Sequence, residues 1–148
     1  MKQLALLYAV LLLVTGILSS CDATRTLSGN EQLYTVAKVV IEAEGMAKSE
    51  KNEVSSFAEE LIRPLPNTTI AGVPVKLLIH GLGKVGARYG ESPVLFSRVD
   101  PAFTSRLLQN ELDNRGYFRA KVQYDTLQQG RKVKVVYKVQ PGEVYRIG

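Results

Sequence analysis

Cysteine and histidine occur only once each among the 148 residues, as Cys21 and His80. A single thiol excludes an intramolecular disulfide, so an exported fold of this chain must rely on its hydrophobic core. One histidine is too few for the usual zinc sites, and nothing spaces a pair of carboxylates for acid–base catalysis. We therefore predict no catalytic residue, no metal site and no cofactor, and we do not expect an enzyme.

The longest apolar run is at the N-terminus. Lys2 precedes an almost unbroken apolar stretch from Leu4 to Ile17, which predicts a secretory signal peptide over residues 1–20. The stretch is shorter than the ~20 apolar residues that cross a bilayer comfortably. Export and the modest net charge of +5 favour anionic lipid or glycolipid surfaces as partners, and we expect no nucleic acid.

The cysteine lies at the end of that segment. Leu18-Ser19-Ser20-Cys21 resembles a lipobox, the site at which lipoprotein signal peptidase cuts before a cysteine. The thiol would there carry a diacylglyceryl thioether, and two or three acyl chains anchor a protein stably. We expect lipid attachment at Cys21 and a polar tether over residues 21–32. An ordinary cleavage site with a chance cysteine is the alternative.

Residues 33–141 have the patterns of one small domain. A run rich in β-branched residues predicts a first strand over residues 33–43. A helix follows, with Ser49 as its N-cap and Arg63-Pro64 at its end. Its apolar stripe comprises Val54, Phe57, Ala58, Leu61 and Ile62. Residues 64–99 contain several prolines and glycines and are predicted to be an insertion.

A second helix is predicted after the insertion. Asp100 can cap it, Pro101 suits its first position, and Gly116 suits the position after its end. Its predicted apolar stripe comprises Phe103, Leu107, Leu108 and Leu112. Each of the two helices can therefore cover a sheet with one face.

Two further strands complete the domain. Residues 117–127 alternate apolar and polar side chains, which predicts a half-buried strand, and Gln128-Gln129-Gly130 connects it to a return strand over residues 132–139. One face of this hairpin is basic and comprises Arg119, Lys121, Lys132, Lys134 and Lys138. Such a face can rest on anionic headgroups, or it is simply a solvated sheet face. The fold class is α+β, a two-layer β-α-(insertion)-α-β-β order with a three-stranded sheet covered on one face by two helices.

The junction of the second helix and the next strand carries a motif. Leu112 to Val122, with Gly116-Tyr117-Phe118 inside it, resembles the L-x-x-x-GYF-x-A-x-V signature of polypeptide-transport-associated (POTRA) domains. Val135 to Ile147, with its Pro141-Gly142 turn, resembles the closing strand of the same family. The lipobox ahead of such a domain is similar to lipoprotein members of the BamA/TamA outer-membrane assembly family. We expect residues 142–148 to begin a following, truncated repeat.

The resemblance implies a binding function. POTRA domains of those relatives stand in the periplasm before a membrane-embedded domain and hold or guide unfolded outer-membrane proteins. The strand after the GYF turn lies at a sheet edge in the family, so we expect partners to bind there by strand addition. The expected edge residues are Arg119, Lys121, Val122, Gln123 and Tyr124. Arg119 and Lys121 have another interpretation, because charged side chains also discourage unwanted edge pairing.

The expected partners are unfolded or partly folded outer-membrane proteins, or other envelope assembly subunits, and the membrane itself through the N-terminal lipid. The expected location is the outer membrane, facing the periplasm. Asp22 resembles the inner-membrane retention signal of enteric bacteria, so the inner membrane is the alternative. The alternative function is a solitary scaffold lipoprotein that docks a folded partner subunit. A solitary module and a piece of a longer protein are both compatible with the sequence.

Residues 81–86, Gly-Leu-Gly-Lys-Val-Gly, have the G-x-G-x-x-G spacing of a dinucleotide-binding loop. Such a site needs a helix that opens at the last glycine and a βαβ repeat around it. Gly90 and Pro93 interrupt the chain soon afterwards, and no such repeat is visible. We therefore expect no nucleotide, and we interpret His80 next to this segment as a solvated or packed loop residue.

Overall fold

The computed structural model describes residues 27–70 and 72–145, together with residues 3, 8, 23 and 24. Cys21 and almost all of the expected signal peptide lie outside the described residues. The chain divides into two compact units. The sheet unit comprises residues 27–67 and 93–148, and the hairpin unit comprises residues 1–26 and 68–92.

The secondary structure elements agree with the expected mixed α+β class. In chain order they are β1 (Leu33–Ile41), α1 (Lys48–Leu61), α2 (Val75–His80), α3 (Lys84–Tyr89), a 3-10 turn (Phe96–Arg98), α4 (Pro101–Asn114), β2 (Lys121–Gln129) and β3 (Lys132–Gln140). The strand order in the sheet is β1-β3-β2, with β1 parallel and β2 antiparallel to β3. Within the described ranges, no helix combines the length and the apolar character needed to cross a membrane.

The core of the sheet unit lies between the sheet and the helices α1 and α4. The central strand β3 supplies every second side chain to it, and all four are buried: Val133, Val135, Tyr137 and Val139. Side chains from both helices join this core, namely Val54, Phe57, Ala58, Leu108 and Leu112. The predicted arrangement, with two helices on one face of a three-stranded sheet, is therefore confirmed.

The start of α1 differs from the prediction. Its N-cap is Ala47, which makes no side-chain capping hydrogen bond, and Ser49 lies inside the helix. The predicted Ser49 cap is therefore wrong. A tertiary contact holds the first turn instead, because the Tyr117 hydroxyl donates a hydrogen bond to Glu50 Oε1 at 3.1 Å. The helix ends at Leu61, just before Arg63-Pro64, as predicted.

The ends of α4 confirm the predicted capping residues. Asp100 Oδ1 accepts a hydrogen bond from the Phe103 backbone N–H at 2.9 Å, and Pro101 is the first helical residue. Gly116 follows the helix with a φ of 89°, a conformation that glycine adopts without strain.

The predicted apolar stripe of α4 is wrong at its first position. Phe103 is 56% exposed, whereas Leu108 and Leu112 are buried. Thr104 is also buried, and residues 104, 108 and 112 follow one another at helical spacing on the side that faces the sheet. Phe103 consequently lies on the solvent side of the helix.

The observed strand boundaries also differ from the predicted ones. Strand β2 begins at Lys121 rather than at residue 117, and β1 ends at Ile41 rather than at residue 43. Gln129 still pairs with Lys132, so Gly130-Arg131 is a two-residue turn and the predicted Gln128-Gln129-Gly130 connection is wrong. The positive φ of 57° at Gly130 explains why the turn is located there.

The packing of α2 against α3 in the hairpin unit explains why the segment is rich in glycine. A Cβ on Gly86 would lie 1.9 Å from the Ile79 carbonyl oxygen, and a Cβ on Gly90 would lie 2.4 Å from the His80 backbone nitrogen. These two glycines are one helical turn apart, so they allow α3 to approach the backbone of α2 closely. The G-x-G-x-x-G pattern thus belongs to a helical hairpin, and His80 is the last residue of α2 rather than a loop residue.

Candidate functional site

The two outer strands of the sheet differ in what lies beside them. Along the start of β1, the Tyr34 backbone N–H donates to the Val94 carbonyl, and the Phe96 N–H donates to the Gln32 carbonyl, both at 2.8 Å. Asn67 Oδ1 accepts a hydrogen bond from the Val94 N–H at 2.9 Å and so holds this cover in place. No strand among the described residues pairs with the outer side of β2. Strand β2 is therefore the open edge of the sheet.

The hydrogen bonds of β3 show which backbone groups of β2 are directed outward. The Glu42 N–H donates to the Val139 carbonyl at 2.8 Å, so the odd-numbered residues of β3 direct their backbone groups toward β1. The even-numbered residues form the ladder with β2, in which Lys138 is opposite Gln123. The even-numbered residues of β2 consequently direct N–H and C=O to the open side. These outward residues are Val122, Tyr124, Thr126 and Gln128.

The side chains of the outward residues lie on the inner face of the sheet. Val122 is opposite Val139 and is half-buried, and Tyr124 is opposite Tyr137 and is 40% exposed. Every other residue of β2 is exposed, so the predicted half-buried strand is wrong over most of its length. The reason is that Val122 is the only β2 residue that packs against the described core.

Four of the five expected edge residues lie together on this strand: Lys121, Val122, Gln123 and Tyr124. Arg119 does not, because a turn closed by the Ala120 N–H and the Tyr117 carbonyl at 2.9 Å precedes the strand. Its assignment to the edge strand and to the basic strand face is therefore wrong. The outward residues Thr126 and Gln128 were missed, although the alternation of the sequence continues through the first of them.

The opposite face of the sheet carries the lysines. The register places Lys121, Lys132, Lys134 and Lys138 on the side away from the buried core, as predicted, and adds Lys38 of β1. Lys138 forms an ion pair with Asp125. Hydrogen bonding to Asp125 raises the pKa of Lys138. The pair neutralises part of the basic face.

A cleft of about 510 Å³ lies at one end of the sheet unit, and its lining includes Glu50, Glu53, Phe57, Arg115 and Tyr117. The Arg115 guanidinium carbon is 4.1 Å from the centre of the Phe57 ring, and Arg115 Nε donates to Glu111 Oε1 at 2.7 Å. Within the lining, the Tyr117 hydroxyl donates to Glu50 Oε1 at 3.1 Å. In the described part of the chain, no group of three or more His, Cys, Asp or Glu side chains is placed to hold a metal ion.

An exposed aromatic pair lies beside the turn that precedes β2. The rings of Phe118 and Tyr145 are 6.2 Å apart and tilted by 54°, and the residues are 66% and 70% exposed. The Tyr145 N–H donates to the Gly116 carbonyl at 2.9 Å, which holds the pair against the turn.

Comparison with known proteins bears on the same region. A family model matches residues 84–142, and its description is POTRA, the surface antigen variable number repeat. Residues 84–142 are thus similar to the POTRA family. No curated protein and no solved structure matched the chain. The POTRA resemblance drawn from the Gly116-Tyr117-Phe118 motif is thus confirmed. The match suggests a polypeptide-binding module in protein transport or assembly, a class that is generally non-catalytic.

Proposed function

We propose that the chain is a lipid-anchored POTRA module of the cell envelope that receives extended polypeptides by strand addition to β2. The observation that carries this proposal is the row of outward N–H and C=O groups at Val122, Tyr124, Thr126 and Gln128. An added strand satisfies these groups, and each hydrogen bond contributes a net ~1 kcal/mol. Backbone pairing demands little of the client sequence, which suits a module that serves many clients.

The side chains at the open edge favour one kind of client. An added strand places alternate side chains beside Val122 and Tyr124 on the inner face, and the intervening ones beside Lys121 and Gln123 on the outer face. A segment that alternates apolar with polar or acidic residues fits both faces. Unfolded or partly folded outer-membrane proteins, and other envelope assembly subunits, are the proposed clients.

The anchor belongs to the same proposal. We assign the lipid to Cys21, in a lipoprotein of the BamA/TamA type, and place the module at the outer membrane facing the periplasm. Asp22 makes the inner membrane the alternative. Mass spectrometry of the mature N-terminus should find an acylated cysteine. An unmodified Cys21 would remove the anchor from the proposal and leave strand addition to be tested separately.

A photo-crosslinking amino acid tests strand addition in cells. Position 123 lies on the open edge strand, and position 134, on the same outer face, lies on the central strand β3 between β1 and β2 and serves as the matched control. We expect crosslinks from Gln123 to several unfolded envelope polypeptides and few from Lys134. Equal yields at the two positions would contradict binding at the open edge.

A second candidate function is a scaffold that docks one folded partner subunit. The exposed Phe118–Tyr145 pair favours it, because aromatic side chains are enriched at the centres of protein interfaces. In that case the crosslinking yields a single stoichiometric product. Phe118→Ser should abolish this product, and Thr126→Pro should leave it unchanged.

A further inference from the structure

The hairpin unit exposes an apolar stripe that strand addition does not use. Leu82, Val85 and Tyr89 are 77%, 75% and 71% exposed. Val85 and Tyr89 are one helical turn apart on α3, and Leu82 directly precedes Gly83, the N-cap of this helix. Apolar side chains that share one face of a helix and stay exposed mark an interaction surface.

The packing of the hairpin explains why this stripe is exposed. Gly86 and Gly90 form the side of α3 that contacts the backbone of α2. Positions 85 and 89 are rotated away from that side by roughly a quarter of a turn, since successive residues of a helix are ~100° apart. Lys84 and Arg88 lie farther round, on the side opposite α2. The stripe is thus bordered by α2 on one side and by two cations on the other.

The cations beside the stripe are not neutralised by their own segment. Lys84 and Arg88 are exposed, and residues 68–92 contain a single acidic residue, Glu91. Glu91 is occupied, because its Oε1 is 3.1 Å from Lys76 Nζ and its two oxygens accept hydrogen bonds from the Thr68 N–H and hydroxyl at 2.9 and 2.8 Å. The exposed surface of α3 therefore combines apolar and positive side chains.

We propose that the α2–α3 hairpin rests on an anionic lipid surface. Leu82, Val85 and Tyr89 would enter the interfacial region, where tyrosine is favoured, while Lys84 and Arg88 extend to the headgroups. A lipid surface fits better than an acidic protein, because the cations lie along one side of the stripe and can all reach a plane of negative charge. This contact does not depend on strand addition at β2 or on acylation of Cys21.

The absence of tryptophan from the sequence allows a local test on the full chain. Tyr89→Trp places the reporter on the stripe, and Tyr145→Trp, at a similarly exposed tyrosine of the sheet unit, is the matched control. With phosphatidylglycerol vesicles, the emission from position 89 should move to shorter wavelength and be quenched by brominated lipid. The emission from position 145 should not change. Because the reporter senses its own surroundings, membrane attachment elsewhere in the chain does not imitate this result.

Charge removal completes the test. In the Tyr89→Trp background, K84Q with R88Q should weaken the contact roughly 30-fold, at about five-fold per near-surface charge. The pair K121Q and K134Q on the basic sheet face should leave it unchanged. An emission that ignores vesicles would overturn the proposal, as would an equal shift with zwitterionic phosphatidylcholine or a shift unaffected by K84Q and R88Q. Binding of position 89 to acidic proteins but not to vesicles would overturn it in favour of a protein partner.

Discussion

Strands β1 and β2 have nine residues each, and both pair with β3, yet the β1 edge of the sheet is closed at its start and the β2 edge is open. The difference comes from their neighbours. Residues 94–96 cover the start of β1 and are held by Asn67, whereas no described strand covers β2. Unprotected edges invite pairing with other chains, so β2 is the edge of this sheet at which we expect an added strand.

The largest expected effect separates the two kinds of residue on the open strand. Leu127→Pro removes a ladder N–H, leaves the facing β3 carbonyl without its donor and should lower the free energy of unfolding by ~2–3 kcal/mol. Thr126→Pro removes an outward N–H and should cost ~1 kcal/mol or less, as proline is tolerated at sheet edges. Denaturant unfolding measures both, with Thr126→Ala and Leu127→Ala as controls. Equal losses from the two prolines would show that the outward residues have been misassigned.

The next effect concerns the closed edge. Asn67→Ala removes the acceptor for the Val94 N–H and should destabilise the fold by ~1–3 kcal/mol. It should also loosen the cover of β1 and increase concentration-dependent association, which analytical ultracentrifugation can follow. Asn52→Ala, at an exposed position of α1, is the control. A variant at Asn67 that is as stable as the wild type and associates no more strongly would contradict the account of the closed edge.

A smaller effect appears at alkaline pH. Burial raises the pKa of Tyr34 on β1 and of Tyr137 on β3 above the ordinary 10.0, so the folded state favours the neutral hydroxyls. A raised pKa gives stability that is complete below pH 10.0 and is lost as the pH rises further, because the unfolded chain ionises first. Tyr34→Phe should therefore lose less stability than the wild type above this pH.

Tyr124→Phe on the open edge is the control for that measurement and should follow the wild type. At neutral pH, Tyr34→Phe should change stability by no more than ~1 kcal/mol, because it keeps the buried ring and removes at most one hydroxyl contact, with Tyr137. Thermal unfolding across a pH series gives both quantities. Parallel alkaline losses in all three proteins would contradict the burial of Tyr34.

The smallest effect is expected on the outer face. Asp125→Ala breaks the exposed ion pair with Lys138, and exposed pairs contribute little to stability. We expect no measurable change in the denaturation midpoint at physiological salt. A clear loss of stability would mean that the open strand depends on side-chain pairing across its outer face.

Local chemistry predicted those parts of the fold where one residue type suits one backbone position. Asp100 and Pro101 predicted the start of α4, Gly116 its end, and the alternation in β3 the buried face of the sheet. The predictions that failed concern positions that are determined by tertiary contacts. The hydrogen bond from Tyr117 fixes the first turn of α1 without a Ser49 cap, and no local signal announces it.

The candidate site, like the fold, was predicted only in part from the sequence. The POTRA-like motif predicted that Arg119 and residues 121–124 lie on an edge strand. The structure places residues 121–124 there and Arg119 in the preceding turn. The direction of each backbone group depends on the pairing of β3 with both neighbours, which sequence alternation cannot supply. The four-residue spacing of Gly86 and Gly90 is the sequence feature that indicates the helical hairpin, since small residues one helical turn apart permit two helices to pack closely.

Amide hydrogen exchange, followed by NMR on the full chain, tests the open edge most directly. The probe is an extended peptide that alternates apolar and acidic residues. The account predicts fast exchange at Val122, Tyr124, Thr126 and Gln128 in the free protein and protection of these amides once the peptide binds, with Gln123 and Leu127 protected throughout. Outward amides that are already protected without the peptide, or that keep exchanging at saturating peptide, would contradict it.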